Sequence, residues 1–322
     1  MLAVAGASAG NGNGPVPTPK AGIAYTGRLP AQALTSFGGA LSPIAPLSAA
    51  TSGFGGISLG AGADGITRSV PMVALYDGTL LPAFSAELLR VAQGAGSHSL
   101  RTSEASGQVS GGAALPVAMR TGALEYPLDE NGHFRIHFAA PAPDRSTSAA
   151  EFLGPDPERL RPRVEGKIVL VGSSAQSLFD IRSTPLSSEV PGVHLHADIL
   201  EQIISGQYLI RPDWMRGLEI VLIVVVGLFV TGFAARERPV PGMLAALGSV
   251  VALLGGGWLA FTQGGLVLNP FEPALTALAV YLPATTINVF GKERARQAIR
   301  DRFDYFLPAE IVDEIARDPD DK

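Results

Sequence analysis

The chain has 322 residues, and its 24 Lys and Arg against 29 Asp and Glu give a net charge of −5, which argues against a nucleic-acid surface. Cysteine is absent, so neither a disulfide framework nor a thiolate metal site exists. The length allows one globular domain beside a membrane block, not several independent enzymes.

Residues 1–14 have no basic n-region, and their apolar part is too short for the core of a signal peptide. Residues 15–30 read as a Pro- and Gly-rich loop around an apolar patch at 21–25. Residues 53–59 and 69–76 read as short strands joined through the turn Asp64-Gly65. Residues 82–93 carry apolar side chains at helical spacing, with Pro82 in the first turn, and the Gly- and Ser-rich run 94–112 reads as a mobile surface loop. Residues 123–127 and 133–139 read as strands joined around Asn131-Gly132. The β-branched run 167–171 has the pattern of a strand covered on both faces. Residues 193–205 predict an amphipathic helix with Leu195, Ile199 and Ile203 on one stripe and Gly206 closing it. The mixture predicts an α/β domain, a mixed sheet with flanking helices.

Three apolar stretches follow, at 217–235, 243–261 and 271–290. Each is about 20 residues, which at ~1.5 Å rise per residue spans a hydrocarbon core of ~30 Å. None keeps the polar face of a soluble helix, so they read as three transmembrane α-helices. Glu219 and Glu272 lie near span ends, where head groups tolerate an acid, and Asn288 is placed the same way. Arg236 and Arg238 separate spans one and two, and Lys292, Arg294, Arg296, Arg300 and Arg302 follow span three. The connection between spans two and three is uncharged. Arg211 and Arg216 run against this bias, but the larger basic cluster puts the C-terminus in the cytosol and the first 212 residues outside. The expected organisation is an extracytoplasmic domain over 1–212, a membrane block over 213–290 and a cytosolic connector over 291–322. Export of some 210 residues requires either that the first span moves the domain across by itself or, the favoured expectation, that an anchor helix precedes Met1.

Several residues invite a chemical reading. Gly166-Lys167 precedes its strand and lacks the spacing of a phosphate loop, so it reads as a strand entry. Gly172-Ser173-Ser174 lacks the second glycine of a nucleophile elbow and reads as a turn whose hydroxyls cap backbone N–H groups. His194 and His196 are spaced as metal ligands, yet two residues apart on a helix they diverge, so structural hydrogen bonding is expected. Asp180, Arg182 and Thr184 follow the 167–171 strand, beyond the carboxyl end where open α/β sheets bind ligands. With His196 they are the candidate ligand-sensing residues; an internal salt bridge is the alternative role for the loop. Gly255, Gly256 and Gly257 in span two permit close helix approach, within the chain or in a dimer.

Gly166-Lys167-Ile168-Val169-Leu170-Val171-Gly172-Ser173-Ser174-Ala175, then Asp180, Thr184-Pro185, Pro191-Gly192-Val193 and His196-Ala197, form a pattern that resembles the type-two CHASE family of extracytoplasmic sensor domains. Asp64-Gly65 with Arg68 and Pro71 looks like the family's earlier turn-and-strand signature, and three spans behind the domain are its arrangement. His137-Phe138-Ala139 departs from the Asn-aromatic pattern often seen there. The family opens with an anchor helix and an acidic strand, so residues 1–212 resemble its C-terminal two-thirds.

The tail is similar to the connector preceding class III nucleotide cyclase domains, through Phe303, Tyr305, Pro308, Glu310, Ile311, Val312, Ile315, Arg317, Asp318 and Pro319. The resemblance implies a membrane-bound receptor of the bacterial inner membrane that regulates an adenylate or guanylate cyclase lying beyond Lys322. A histidine or serine/threonine kinase output, or a stand-alone membrane sensor, are the alternatives; a small transporter subunit is disfavoured by the scarcity of membrane-buried charge. The resemblance further implies a homodimer in membrane lipid with an unknown extracytoplasmic ligand. Two divalent metal ions, Mg or Mn, are expected only in the cyclase domain; no catalytic residue and no cofactor are expected in residues 1–322.

Overall fold

The computed structural model describes residues 2–7, 15–60, 62–106, 114–139, 145–175, 180–234 and 239–303. The chain divides into two compact units, Met1–Ile210 and Arg211–Lys322.

The first unit runs β1 (Leu2–Ala7), β2 (Ile23–Thr26), β3 (Ser36–Phe37), β4 (Gly39–Leu41), α1 (Ala45–Ala50), β5 (Phe54–Gly56), β6 (Ser69–Pro71), β7 (Val73–Tyr76), β8 (Thr79–Pro82), α2 (Phe84–Ala92), β9 (His98–Thr102) and α3 (Ser103–Ser106). It continues with β10 (Pro116–Thr121), β11 (Leu124–Pro127), β12 (His133–Arg135), α4 (Ala149–Phe152), α5 (Arg161–Val164), β13 (Ile181–Arg182), β14 (Val190–Pro191) and α6 (Gly192–Ser205). The largest sheet has the order β11-β10-β9-β2, with β2 parallel to β9 and the other pairs antiparallel. Two three-stranded sheets, β4-β1-β5 and β3-β7-β8, also mix parallel and antiparallel pairs. The expected mixed sheet with flanking helices is thus present, as several small sheets.

Among the described residues of this unit, the larger of two core clusters joins the largest sheet, β6 and β7 to the helices, while Val4, Ala40, Phe54, Ala74, Tyr76 and Leu81 form the second. In the larger, Val70, Met72 and Val73, Leu100, Met119 and Tyr126 meet Ala86 and Leu89 of α2 and Leu195, Ile199 and Ile203 of α6. The three α6 residues recur at four-residue spacing, so one face is buried, and Gly206 ends the helix in the left-handed conformation at φ +72° as its sequence predicts. Phe134 stands edge-on to Tyr126 and to Tyr208 at centroid distances of 6.0 and 6.1 Å.

Several expectations are overturned. Residues 168–171 form no strand: Val169 and Val171 are exposed, and among the described residues no strand pairs with them. A β-branched run favours extended backbone but does not supply a neighbour. The turn Asp129–Gly132 forms, with His133 donating its N–H to Asp129 Oδ1 at 2.8 Å, yet its flanking strands part: β11 pairs with β10 and β12 with β6. The run 69–76 breaks at Met72 into β6 and β7, which join different sheets, and β5 pairs with β1. Pro82 belongs to β8, opposite Val73, and the helix starts at Phe84. Residues expected in loops, Ile23–Thr26 and His98–Thr102, form adjacent strands of the largest sheet. Leu2–Ala7 is likewise a strand; the rest of 1–14 lies outside the described residues.

The second unit contains α7 (Trp214–Ala234), α8 (Pro239–Gly264) and α9 (Phe271–Phe303). All three are long and apolar enough to cross a membrane, with mean hydropathies of 2.4, 1.9 and 1.4 over their most apolar windows. Small side chains set their contacts. Ala246 of α8 and Ala274 and Ala277 of α9 are buried beside Val226, Val230 and Leu253, and Ala234 of α7 is buried as well. Val221, Leu228, Leu244, Leu247, Leu275 and Leu282 face outward, the arrangement expected where the surroundings are hydrocarbon. The helix of span three continues past Phe290 to Phe303, as a connector running on directly from the span requires.

Candidate functional site

The hairpin of β13 and β14 delivers the candidate sensing residues to the start of α6. Ile181 pairs with Pro191 and Arg182 with Val190, and Gly192 donates its N–H to the Asp180 carbonyl at 2.8 Å. The Asp180 carboxylate occupies the space that a Cβ on Gly192 would need. Arg182 Nη2 lies 4.0 Å from Asp180 Oδ1, the internal ion pair foreseen for this loop. Burial raises the Asp180 pKa against the lowering effect of Arg182. Arg182 Nε is buried with no hydrogen-bond partner among the described residues. Thr184 Oγ1 donates to the Ser187 carbonyl at 3.0 Å and accepts its N–H at 3.1 Å, which closes a turn. Thr67 donates to the Ser183 carbonyl at 2.8 Å and ties this loop to the turn at Asp64. There Arg68 donates to both Asp64 oxygens, at 3.1 and 2.8 Å, and these bonds hold the Asp64 pKa at about 2.

His196 lies one turn after Gly192 and is 4 % exposed, with its ring edge-on to Phe84 at 5.4 Å. Neither ring nitrogen has a hydrogen-bond partner among the described residues, which overturns the expectation of structural hydrogen bonding. Burial pulls its pKa down to about 4, so the imidazole is neutral near pH 7. His194 is exposed, so the two histidines diverge as helical geometry requires. Among the described residues no group of three or more His, Asp or Glu is arranged to hold a metal ion. Ser173 Oγ accepts the Ala175 N–H at 3.2 Å, the hydroxyl-capped turn expected there.

Sequence reasoning missed a second polar cluster. Glu87 and Arg90 of α2, His98 of β9, Thr121 of β10 and Tyr126 of β11 form one chain of hydrogen bonds inside the unit. Arg90 donates twice to the Glu87 carboxylate, both at 2.8 Å. His98 Nε2 lies 2.9 Å from Glu87 Oε2, His98 Nδ1 lies 2.9 Å from Thr121 Oγ1, and Thr121 lies 3.1 Å from Tyr126 Oη. An ionised Glu87 only accepts, so His98 carries a proton on Nε2 and donates it to Glu87. Burial raises the Glu87 pKa, but bonds from His98 and Arg90 outweigh it and leave it below the usual range. The order hydroxyl, imidazole, carboxylate has the form of a catalytic triad, but all three side chains are sealed from solvent and no substrate reaches them. A signal was available in the sequence: opposite charges three residues apart on the apolar face of a predicted helix.

The membrane unit holds a further site. Glu219, expected among head groups, is 3 % exposed; it accepts from Arg211 Nη2 at 2.8 and 3.1 Å and from the Asn269 backbone N–H at 2.8 Å. Asn269 also donates Nδ2–H to Glu272 Oε1 at 3.1 Å, and Asn288 donates Nδ2–H to the Ala234 carbonyl at 2.6 Å. Phe303 ends α9, whereas Pro308, Glu310, Arg317, Asp318 and Pro319 lie outside the described residues. An open cleft of about 610 Å³ lies elsewhere in the first unit, lined by Val16, Lys20, Leu41 and Phe54 among others, and includes none of the candidate sensing residues.

A family model described as the CHASE2 domain matches residues 11–229. No curated protein and no solved structure gave a match.

Proposed function

We propose, from the premise that the chain belongs to the CHASE2 domain family, that it is the receptor part of a signalling protein whose sensor state controls a cytosolic adenylate or guanylate cyclase. CHASE2 is an extracytoplasmic sensor domain, and three membrane-competent helices accompany it in this chain. The reading places residues 1–212 outside the bacterial inner membrane and the tail from Gly291 in the cytosol, as the basic residues after span three favour. Asp180, Arg182, Thr184 and His196 are the proposed stimulus-responsive residues. Unpartnered buried nitrogens on Arg182 and His196 support this, since such atoms are costly unless something else satisfies them.

The observation that carries the output half of the proposal is the length of α9. Its 33 residues, at ~1.5 Å each, reach about 50 Å, well beyond a hydrocarbon core of ~30 Å. One unbroken helix therefore leaves span three and enters the basic segment Lys292–Phe303 that leads to the cyclase-like connector. The cyclase would work as a homodimer with two divalent metal ions of its own, and α9 would transmit the geometry of the dimer. A Gly-Gly insertion after Ala298 in the complete reading frame should leave basal cyclic-nucleotide synthesis intact and abolish its regulation. Unaltered regulation, or sequence beyond Lys322 without paired metal-binding aspartates, overturns the proposal. Protease applied to intact cells should cut within residues 1–210 and spare the Lys322 end; the reverse pattern removes the receptor reading.

A further inference from the structure

We infer that Glu219 is a positioning residue that clasps the segment leading into the membrane to the sensor-side ends of the spanning helices, so that these parts move as one body. The inference rests on the proposed direction of signalling, from residues 1–212 towards the tail.

Glu219 lies in the second turn of α7, and its carboxylate is withdrawn from solvent. A desolvated carboxylate near a membrane is costly unless it is paired, and here its partners come from two other parts of the unit. Arg211, the first residue of the unit, reaches both carboxylate oxygens through Nη2. The Asn269 N–H, from the turn between α8 and α9, reaches Oε1. Glu272, in the first turn of α9, is drawn in through the Asn269 side chain. One carboxylate thus ties together Arg211, α7 and the α8–α9 turn. At the other end of the unit, Asn288 donates to the Ala234 carbonyl. A shift of the segment around Arg211 cannot occur without either dragging α7 and α9 or breaking the clasp.

Because the natural chain has no cysteine, introduced cysteines label single positions cleanly. Nitroxide pairs at Trp214→Cys with Phe271→Cys report the clasped end of the full chain in nanodiscs, and pairs at Val240→Cys with Phe290→Cys report the opposite end. All four native side chains are exposed. Glu219→Gln and Arg211→Gln should each at least double the width of the distance distribution at the clasped end and leave the other pair unchanged. Arg211→Lys, which keeps the cation, should retain the narrow distribution. The inference is overturned if both Gln variants match the parent, or if both label pairs broaden together, which would mean general loosening. These distances do not depend on any cyclase, so the failure of the clasp and the failure of the signalling proposal are read separately.

Discussion

His98 Nε2 stands 2.9 Å from Glu87 Oε2 with both side chains closed off from water, and this contact joins α2 to the largest sheet of the first unit. Glu87 also balances Arg90, whose guanidinium reaches the Ser52 carbonyl at 3.0 Å and the Ala95 carbonyl at 2.8 Å. Glu87→Ala leaves a largely buried cation without its counter-ion, a loss of about 3–5 kcal/mol. Thr121→Val removes one neutral hydroxyl and should cost less, about 1–3 kcal/mol. Denaturant titration followed by hydrogen exchange at the amides of β9 and β10 should rank the variants in that order. Equal stabilities would mean that the network contributes nothing to the fold.

The pH response of the first unit has two opposing parts. His196 falls to about 4 when folded, so between there and its unfolded value near 6.5 the unfolded chain binds the extra proton. Its contribution is full above ~6.5 and is lost as pH falls towards 4, by about 3 kcal/mol over that window. Asp198 is raised to about 6, chiefly by burial and then by Glu201, with Arg145 opposing. There the folded chain holds the extra proton, so its contribution is present at low pH and is lost as pH rises from about 4 towards 6. His196→Leu should flatten the acid side of a stability–pH profile, and Asp198→Asn should steepen it by removing the compensation. Profiles that superimpose on the parent would contradict both assignments.

Much of the framework was legible because it depends on local periodicity. The three spans and α6 with its closing Gly206 needed only hydropathy and spacing. Strand partners were less accessible, since a turn fixes direction over a few residues and not which neighbour follows. Asn131-Gly132 formed its turn, yet the strands beside it went to different sheets. Tight two-residue hairpins form instead at Gly122-Ala123, where Thr121 pairs with Leu124, and at Asp77-Gly78, where φ is +47° and +76° and Tyr76 pairs with Thr79. Asp77-Gly78 is a strong hairpin signal, and taking residues 69–76 as one strand concealed it. Of the candidate residues, the structure brings Asp180 and Arg182 together at the start of α6, with His196 one turn further along the helix. Glu87, His98 and Thr121 were invisible as a group because their contacts span 11 and 23 residues.

The fit of Asp180 against Gly192 is open to a double-mutant test. Gly192 is helical without positive φ, so Ala at this position meets no backbone strain, only the Asp180 carboxylate. Gly192→Ala should destabilise the first unit by about 1–3 kcal/mol through overpacking. Adding Asp180→Ala should recover most of that loss, because the obstructing group is gone. Unfolding midpoints of the parent, both single variants and the double variant decide it. Strictly additive losses would show that the two residues do not share this space.

The glycines of α8 separate association from folding. A Cβ on Gly257 would meet Pro270 at 3.1 Å, so Gly257 serves packing within the chain. Gly248, Gly255 and Gly256 have nothing within 4 Å of that position, and Ala252 is exposed. Gly248, Ala252 and Gly256 recur every four residues, an outward small-residue face of the kind that lets two spanning helices approach. In the proposed homodimer, Gly256→Leu should shift single-molecule photobleaching in nanodiscs from two steps to one while leaving thermal unfolding of the chain unchanged. Gly257→Leu should do the opposite, because Pro270 must be displaced before the chain can fold around the larger side chain. If Gly256→Leu leaves the two-step fraction intact, α8 is not the face through which two copies meet.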